Sequence, residues 1–206
     1  MSARDPDGGG HPSTLIGRAA LVIRVNRLLD ARRSVLLFGP PGIGKSAIVA
    51  AVARREFTVA DPFEHVSRQC AAALRRVIEA GGIVLAAARS ARRTDIGAVG
   101  RVLWRMEAVR VEPLGPRNIR TLLSAALDAG GVPCRTITPA WLSEAAQVAD
   151  GIPGRAVAMA SAVGVQWRAG QGVLPPRLAL VVAWQDGLSP AAARPRVLPV
   201  WEPPKC

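Results

Sequence analysis

The sequence predicts an α/β fold, in which a short parallel sheet is flanked by helices and followed by a small unit made only of helices. Three observations support this fold class. Short apolar, β-prone runs alternate with helical patterns through the first half of the chain, as expected of parallel βαβ units. One run, Ile83 to Ala88, is apolar throughout, which is typical of a strand buried on both faces. From Arg117 onward only the helical periodicity remains.

Length and composition limit the classes of protein to which the chain can belong. Its 206 residues, half of them hydrophobic, suit one α/β domain with a small appendage. The longest late apolar run, Leu178 to Trp184, is far too short to cross a membrane, so no membrane partner is expected. The three cysteines, Cys70, Cys134 and Cys206, are widely spaced, and no secretion signal is recognisable, which predicts reduced thiols in a cytoplasmic protein.

The formal net charge of +12 points to an anionic partner such as DNA. Lysine occurs only at Lys45 and Lys205, so almost all of the positive charge is arginine, and it is spread along the chain. A compositional bias explains this pattern as well as a nucleic-acid surface does. Both interpretations stay open on the sequence.

Residues 34–53 carry the most specific signal in the chain. An apolar run from Ser34 to Phe38 leads into residues 39–46, which fit the Walker A pattern G-x-x-x-x-G-K-[ST] of P-loop NTPases, and a helix-forming stretch follows. In such a loop the backbone amides surround a β-phosphate, Lys45 reaches the β- and γ-phosphates, and the Ser46 hydroxyl binds Mg²⁺. ATP and Mg²⁺ are therefore the expected cofactors. The predicted nucleotide contacts in this loop are Gly39, Pro40, Pro41, Gly42, Ile43, Gly44, Lys45, Ser46 and Ala47.

A candidate metal ligand follows at the end of the next predicted strand. The stretch Phe57 to Asp61 ends in a carboxylate, the position from which an aspartate holds Mg²⁺-bound water beside a phosphate loop. Asp61 and Ser46 are thus the predicted metal site. Pro62 ends the strand, and Glu64 is the nearest carboxylate after it. Glu64 is either a catalytic base for the attacking water or an acid favoured by a helix N-terminus, and both alternatives stay open.

The order of these parts resembles the AAA+ family of P-loop ATPases, in particular the branch with origin-recognition initiators and the related STAND signalling and transposition ATPases. The resemblance covers about residues 14–168. The segment 15–18, Leu-Ile-Gly-Arg, is similar to the family's hhGR segment, which implies that Gly17 and Arg18 touch the adenine. Arg89 or Ser90 matches the sensor-1 position at the end of the following strand.

The second half of the chain is similar to the helical lid of the same family. Gly151 to Arg155 looks like the sensor-2 turn, which implies that Arg155 reaches the γ-phosphate from the lid and contributes to catalysis with Lys45, Asp61 and Glu64. The resemblance implies an ATPase core (14–112) and a helical lid (113–169), and composition adds a flexible leader (1–13) and a proline-rich tail (170–206). In ring-forming relatives an arginine near Arg101 or Arg105 reaches a neighbour's nucleotide; the alternative here is an ordinary solvated arginine.

Two departures from the family pattern change what is expected. Lys45 and Asp61 are only sixteen positions apart, which leaves no room for the additional strand and helix that usually separate them. The sheet should therefore have four parallel strands, with the missing strand at its edge and connections of the usual right hand. Pro62 stands where the family usually has a glutamate base, which puts hydrolysis in doubt.

These observations predict an ATP-binding AAA+-like module, a weak ATPase that couples its nucleotide state to lid movement and to the binding of a protein client or of another copy of itself. Two alternatives stay open. Pro62 favours a switch or adaptor that binds ATP without hydrolysing it. The arginine excess favours an accessory ATPase that associates with DNA or another nucleic acid.

Overall fold

The computed structural model describes residues 15–54, 56–61, 63, 67–89 and 102–185. The predicted leader and the predicted sites at Glu64, Ser90 and Arg101 lie outside the described residues, as does the stretch 186–206. Among the helices that it describes, none combines the length and the hydropathy that a membrane span needs.

The first part of the described chain alternates helices with parallel strands. Its elements are α1 (Ala19–Asp30), β1 (Val35–Phe38), α2 (Lys45–Val52), β2 (Phe57–Ala60), α3 (Arg68–Glu79), β3 (Ile83–Ala88) and β4 (Glu107–Arg110). The strands form one four-stranded sheet in the order β2-β3-β1-β4, and every neighbouring pair is parallel. The predicted α/β fold with a short parallel sheet is therefore confirmed.

Helices cover both faces of this sheet, which explains the apolar runs of its two central strands. Val35 and Leu37 of β1 join a buried cluster with α1 and α2, whereas Leu36, which points to the other face, joins a cluster with α3. All six residues of β3 are buried. Each large apolar side chain buried in this way contributes about 1.5–3 kcal/mol to folding, so the two layers hold the strand ends firmly in place.

A helical unit with a core of its own follows the sheet. It consists of α4 (Pro116–Ala129), α5 (Pro139–Ala149), α6 (Pro153–Arg168) and α7 (Pro176–Gln185). α6 packs against the other three helices and contributes buried small and apolar residues such as Ala156 and Met159. The Thr138 hydroxyl caps α5 by accepting a hydrogen bond from the Trp141 amide at 3.1 Å, and Pro139 is the first residue of that helix.

Part of the range predicted as a proline-rich tail is ordered as a helix. α7 begins at Pro176 and packs on α6 and α5 through Ala179 and Ala183, which are fully buried. The Trp141 indole donates to the Leu174 carbonyl at 2.8 Å and fixes the connection before α7. A proline in a first helical turn loses no intrahelical hydrogen bond, so Pro176 is compatible with a helix at this point.

Candidate nucleotide site

Residues 39–44 connect the end of β1 to the start of α2 as a tight loop. Gly42 and Gly44 have φ angles of +76° and +98°, which glycine adopts without steric cost. The Ile43 side chain is fully buried in the cluster between the sheet, α1 and α2. The Gly39 amide donates to the Ala88 carbonyl of the neighbouring strand at 3.3 Å. The loop is therefore anchored at its first residue and near its centre.

Lys45, the first residue of α2, turns back over the loop. Its Nζ donates to the carbonyl oxygens of Gly39 and Pro40 at 2.8 and 3.1 Å. The first amides of α2 add partial positive charge, because they have no partner within the helix. The Ser46 side chain is exposed in the same turn, and the space that a Cβ on Gly44 would enter holds no atom within 4 Å. Loop amides, an ammonium group and a hydroxyl are thus neighbours at the start of α2, and their contact with nucleotide phosphates stays a prediction.

Asp61 lies half-buried directly after β2. One strand, β3, separates β2 from β1, so the carboxyl ends of β1 and β2 lie on the same side of the sheet, about 10 Å apart. Within the described ranges no group of three or more histidine, cysteine, aspartate and glutamate side chains could hold a metal ion. Ser46 and Asp61, the predicted ligands, would supply one or two protein oxygens to magnesium, which commonly completes its shell with phosphate and water.

Two arginines to which the resemblance gives a role lie at opposite ends of the parallel strands. Arg89 comes directly after β3, whose last residue pairs with Phe38, so its exposed side chain is level with the start of the loop. Arg105 precedes β4 and lies at the other end of the strands, with its Nη2 3.9 Å from Glu79 Oε1. Arg105 therefore cannot reach the phosphate loop of its own chain.

The turn between α5 and α6 contacts the phosphate loop directly. The Gly154 amide donates to the Gly42 carbonyl at 2.8 Å, and the Leu114 amide donates to the Gly151 carbonyl at 2.8 Å. Ile152 is buried outside the lid core, in the cluster that the sheet forms with α1 and α2. The helical unit is thus fastened to the sheet domain at the phosphate loop itself.

Arg155 lies one residue beyond this contact, in the first turn of α6. Its Nη1 is 3.7 Å from Asp150 Oδ2, and the two side chains are 33 % and 81 % exposed. A pair as exposed as this contributes about 0–1 kcal/mol, so it holds Arg155 only weakly. The structure brings Arg155 close to the phosphate loop; a contact with a γ-phosphate stays a prediction.

Arg18 has surroundings that the sequence did not indicate. The residue is only 7 % exposed, and its terminal nitrogens donate to two backbone carbonyls, Nη1 to Glu112 and Nη2 to Ile43 at 2.9 Å. Burial lowers the pKa of the Arg18 guanidinium from its ordinary value, and the Glu112 carboxylate partly offsets this. The guanidinium is thus bound to protein carbonyls at a position where the resemblance implied an adenine contact. Gly17 lies against Asn118 of α4.

Sequence reasoning missed the partners of both arginines. Asp150-Gly151 is a recognisable turn signal, and it could have indicated a carboxylate near Arg155. No local pattern pairs Arg18 with Glu112, since the two are 94 positions apart.

Comparisons with known proteins show the fold. No family model and no curated protein match the sequence. Domain III of the replication initiation protein DnaA from Thermotoga maritima is similar, with a TM-score of 0.57 at 9 % identity, over 81 % of this chain and 89 % of that one. The RuvB Holliday junction branch migration motor of Thermotoga maritima gives 0.54 at 14 % identity, over 82 % and 69 %, and a single-residue variant of that motor gives 0.56 at 14 %, over 83 % and 70 %. The chain therefore has the fold of AAA+ P-loop ATPases, and the likeness assigns it to no branch.

Proposed function

We propose that the chain is an ATP-binding module of AAA+ type, in which Mg²⁺-ATP at the Walker A loop controls the position of the helical lid. The observation that carries the proposal is the 2.8 Å hydrogen bond from the Gly154 amide of the lid to the Gly42 carbonyl of the loop. This bond joins the backbone that would bind phosphate to the first turn of α6. The shared fold with a replication initiator and a branch migration motor supports the same proposal.

Each proposed contact uses a group of this chain. Amides of the loop and of the first turn of α2 bind the β-phosphate. Lys45 exchanges its bonds to two loop carbonyls for bonds to the β- and γ-phosphates. Arg155 leaves Asp150 for the γ-phosphate, so the lid responds to the difference between ATP and ADP. Mg²⁺, when bound through Ser46 and Asp61, neutralises charge on the phosphates.

Binding is tested by titration calorimetry with Mg²⁺-ATP and Mg²⁺-ADP at low salt. Lys45→Ala should abolish measurable binding, because the loop loses its only side-chain cation and retains the amides alone. Lys205→Ala is the matched control, since it removes the same charge at the only other lysine. The proposal fails if the unaltered protein binds neither nucleotide, or if Lys45→Ala binds as well as the Lys205→Ala control.

Slow hydrolysis is a separate part of the proposal. Pro62 cannot act as a base, and Glu64 is the first carboxylate after it in the sequence. In a single-turnover experiment a weak ATPase should form ADP, and Glu64→Gln should stop this while ATP binding persists. No turnover in either protein would instead identify an ATP-gated switch that does not hydrolyse.

A second candidate function is binding of DNA, favoured by exposed arginines without carboxylate partners. Arg24 and Arg27 on α1, and Arg117 and Arg120 on α4, are exposed, and no ion pair joins them to a carboxylate within the described part of the chain. If they contact phosphates, affinity for labelled DNA should fall steeply between about 50 and 200 mM salt. Replacing all four with glutamine should flatten that slope; an unchanged slope would remove this function.

A further inference from the structure

Four hydrogen bonds form a closed ring between the phosphate loop and the lid. Arg18 joins the Ile43 carbonyl to the Glu112 carbonyl, at the start of the connection into the lid. Two residues further on, the amide of residue 114 donates to the carbonyl of residue 151. The amide of residue 154 then donates to the carbonyl of residue 42, next to Ile43, where the ring closes. Arg18 supplies the only side chain in this ring.

The burial of Arg18 is unusual because a charged group is costly to remove from water. Within the described part of the chain no carboxylate forms an ion pair with its guanidinium: the Glu112 carboxylate, 3.3 Å from Arg110, favours the charged form of Arg18 from a distance, and Arg18 donates to the Glu112 backbone carbonyl. Both terminal nitrogens are engaged with main-chain oxygens. Buried charged groups add little net stability in general, and in some proteins they serve to specify a geometry.

The bond to Ile43 has a consequence for the adjoining amide. The C=O of Ile43 and the N–H of Gly44 belong to one planar peptide unit, and in a trans peptide they point in opposite directions. Arg18 holds this C=O from the buried side of the loop. The Gly44 N–H is therefore turned away from the protein interior, in the last residue before α2.

We propose that Arg18 is a positioning residue for phosphate: it fixes the Ile43–Gly44 peptide so that the Gly44 amide faces a bound polyphosphate, and it ties that peptide to the connection into the lid. The proposal deepens the proposed function and rests on it for the identity of the ligand. The acceptor geometry itself does not depend on a nucleotide. The competing role is contact with adenine, which predicts that substitution of Arg18 weakens binding of ATP but not of a polyphosphate without adenine.

The first test compares ATP with inorganic tripolyphosphate, both with Mg²⁺, in the unaltered protein, Arg18→Lys and Arg18→Met. Lysine keeps a charge but cannot bridge two carbonyls in the same way. Affinity for both ligands should fall by about tenfold or more, the range expected when a hydrogen bond to a charged group is lost. Arg177→Lys, at an exposed site on α7, is the control and should bind both ligands normally. A fall for ATP alone would overturn the proposal in favour of an adenine contact, and no fall for either ligand would also overturn it.

The second test uses no nucleotide, so it stays informative if the proposed function fails. Hydrogen–deuterium exchange should rise in peptides covering 39–46 and 111–115 of Arg18→Lys, and stay unchanged in β3. This pattern would show a local release of the loop and the lid connection, even if Arg18→Met does not fold. Exchange equal to that of Arg177→Lys in both peptides would mean that Arg18 does not hold the loop.

Discussion

Arg18, which precedes α1, and Lys45, which ends the loop, both donate to loop carbonyls, and their surroundings distinguish their roles. Lys45 is partly exposed and bonds to loop carbonyls that phosphate oxygens can replace. Arg18 is buried, with both terminal nitrogens held by main-chain oxygens. The first suits a group that binds a ligand, and the second suits a group that shapes the loop for it.

Gly151→Ala should weaken the attachment of the lid. Gly151 has a φ of +67°, and a Cβ there would lie 2.6 Å from Pro113 Cβ and 2.8 Å from the Leu114 carbonyl. Gly170→Ala is the matched control, because its φ of +74° carries a similar backbone penalty while its Cβ would meet nothing within 4 Å. Chemical denaturation should show a loss of about 1–2 kcal/mol for the control, and a larger loss for Gly151→Ala. Equal losses would mean that the lid connection tolerates the added methyl group.

Asp150→Asn should raise the affinity for ATP relative to the affinity for ADP. The change removes the charge that competes for Arg155, and asparagine tolerates the φ of +51° found at this position. An exposed pair contributes about 0.2–1 kcal/mol, so the ratio of ATP to ADP affinity should rise up to about fivefold. Calorimetry measures this ratio, and Arg155→Ala should lower it. A ratio that does not respond to either substitution would exclude Arg155 from the γ-phosphate.

At the scale of elements, helix caps decide where the lid helices begin. Thr138→Ala should lower the free energy of unfolding by about 1 kcal/mol, because the Trp141 amide loses its acceptor. Thr138→Ser keeps a hydroxyl and should restore most of the loss. ATP affinity should be unchanged in both variants, since α5 has no residue in the predicted site. A Thr138→Ser variant as unstable as Thr138→Ala would point to the lost methyl group instead of the cap.

The elements themselves could largely be predicted, because their signals are local. Residues 34–46 predict β1, the loop and the start of α2. The close spacing of Lys45 and Asp61 predicts a sheet of four strands. α7 was not predicted as a helix, because the prolines around it indicate loose or docked segments; Ala179 and Ala183 stabilise it by tertiary packing.

The contacts between elements could not be predicted in the same way. The hydrogen bond between Gly154 and Gly42 joins backbone groups, which carry no residue-specific signal. The bond from Arg18 to Glu112 depends on how the sheet and the lid come together. The sequence therefore predicts the residues of the candidate site, but not the hydrogen bonds by which the site joins the sheet domain to the lid.

At the scale of the whole molecule, Mg²⁺-ATP should stabilise the sheet domain and the lid together. A ligand at 100 times its Kd adds about 2.7 kcal/mol to the free energy of unfolding, which for a chain of this size raises Tm by about 5–10 °C. Because the lid turn is bonded to the loop, exchange protection should also increase in α6. Lys45→Ala should show neither effect. Protection limited to the sheet domain would contradict the proposed coupling.

The strand order also determines when the phosphate loop can be completed during synthesis. β1 pairs with β3 and β4, so neither of its neighbours exists when the ribosome has just made the Walker A residues. The acceptors and donors that fix the loop arrive later still, at Ala88, Glu112 and finally Gly154. At usual translation speeds of about 5–20 residues per second, roughly 5–20 s separate the loop from its last partner. A nascent chain thus carries the complete motif well before it has the structure that holds the motif in shape.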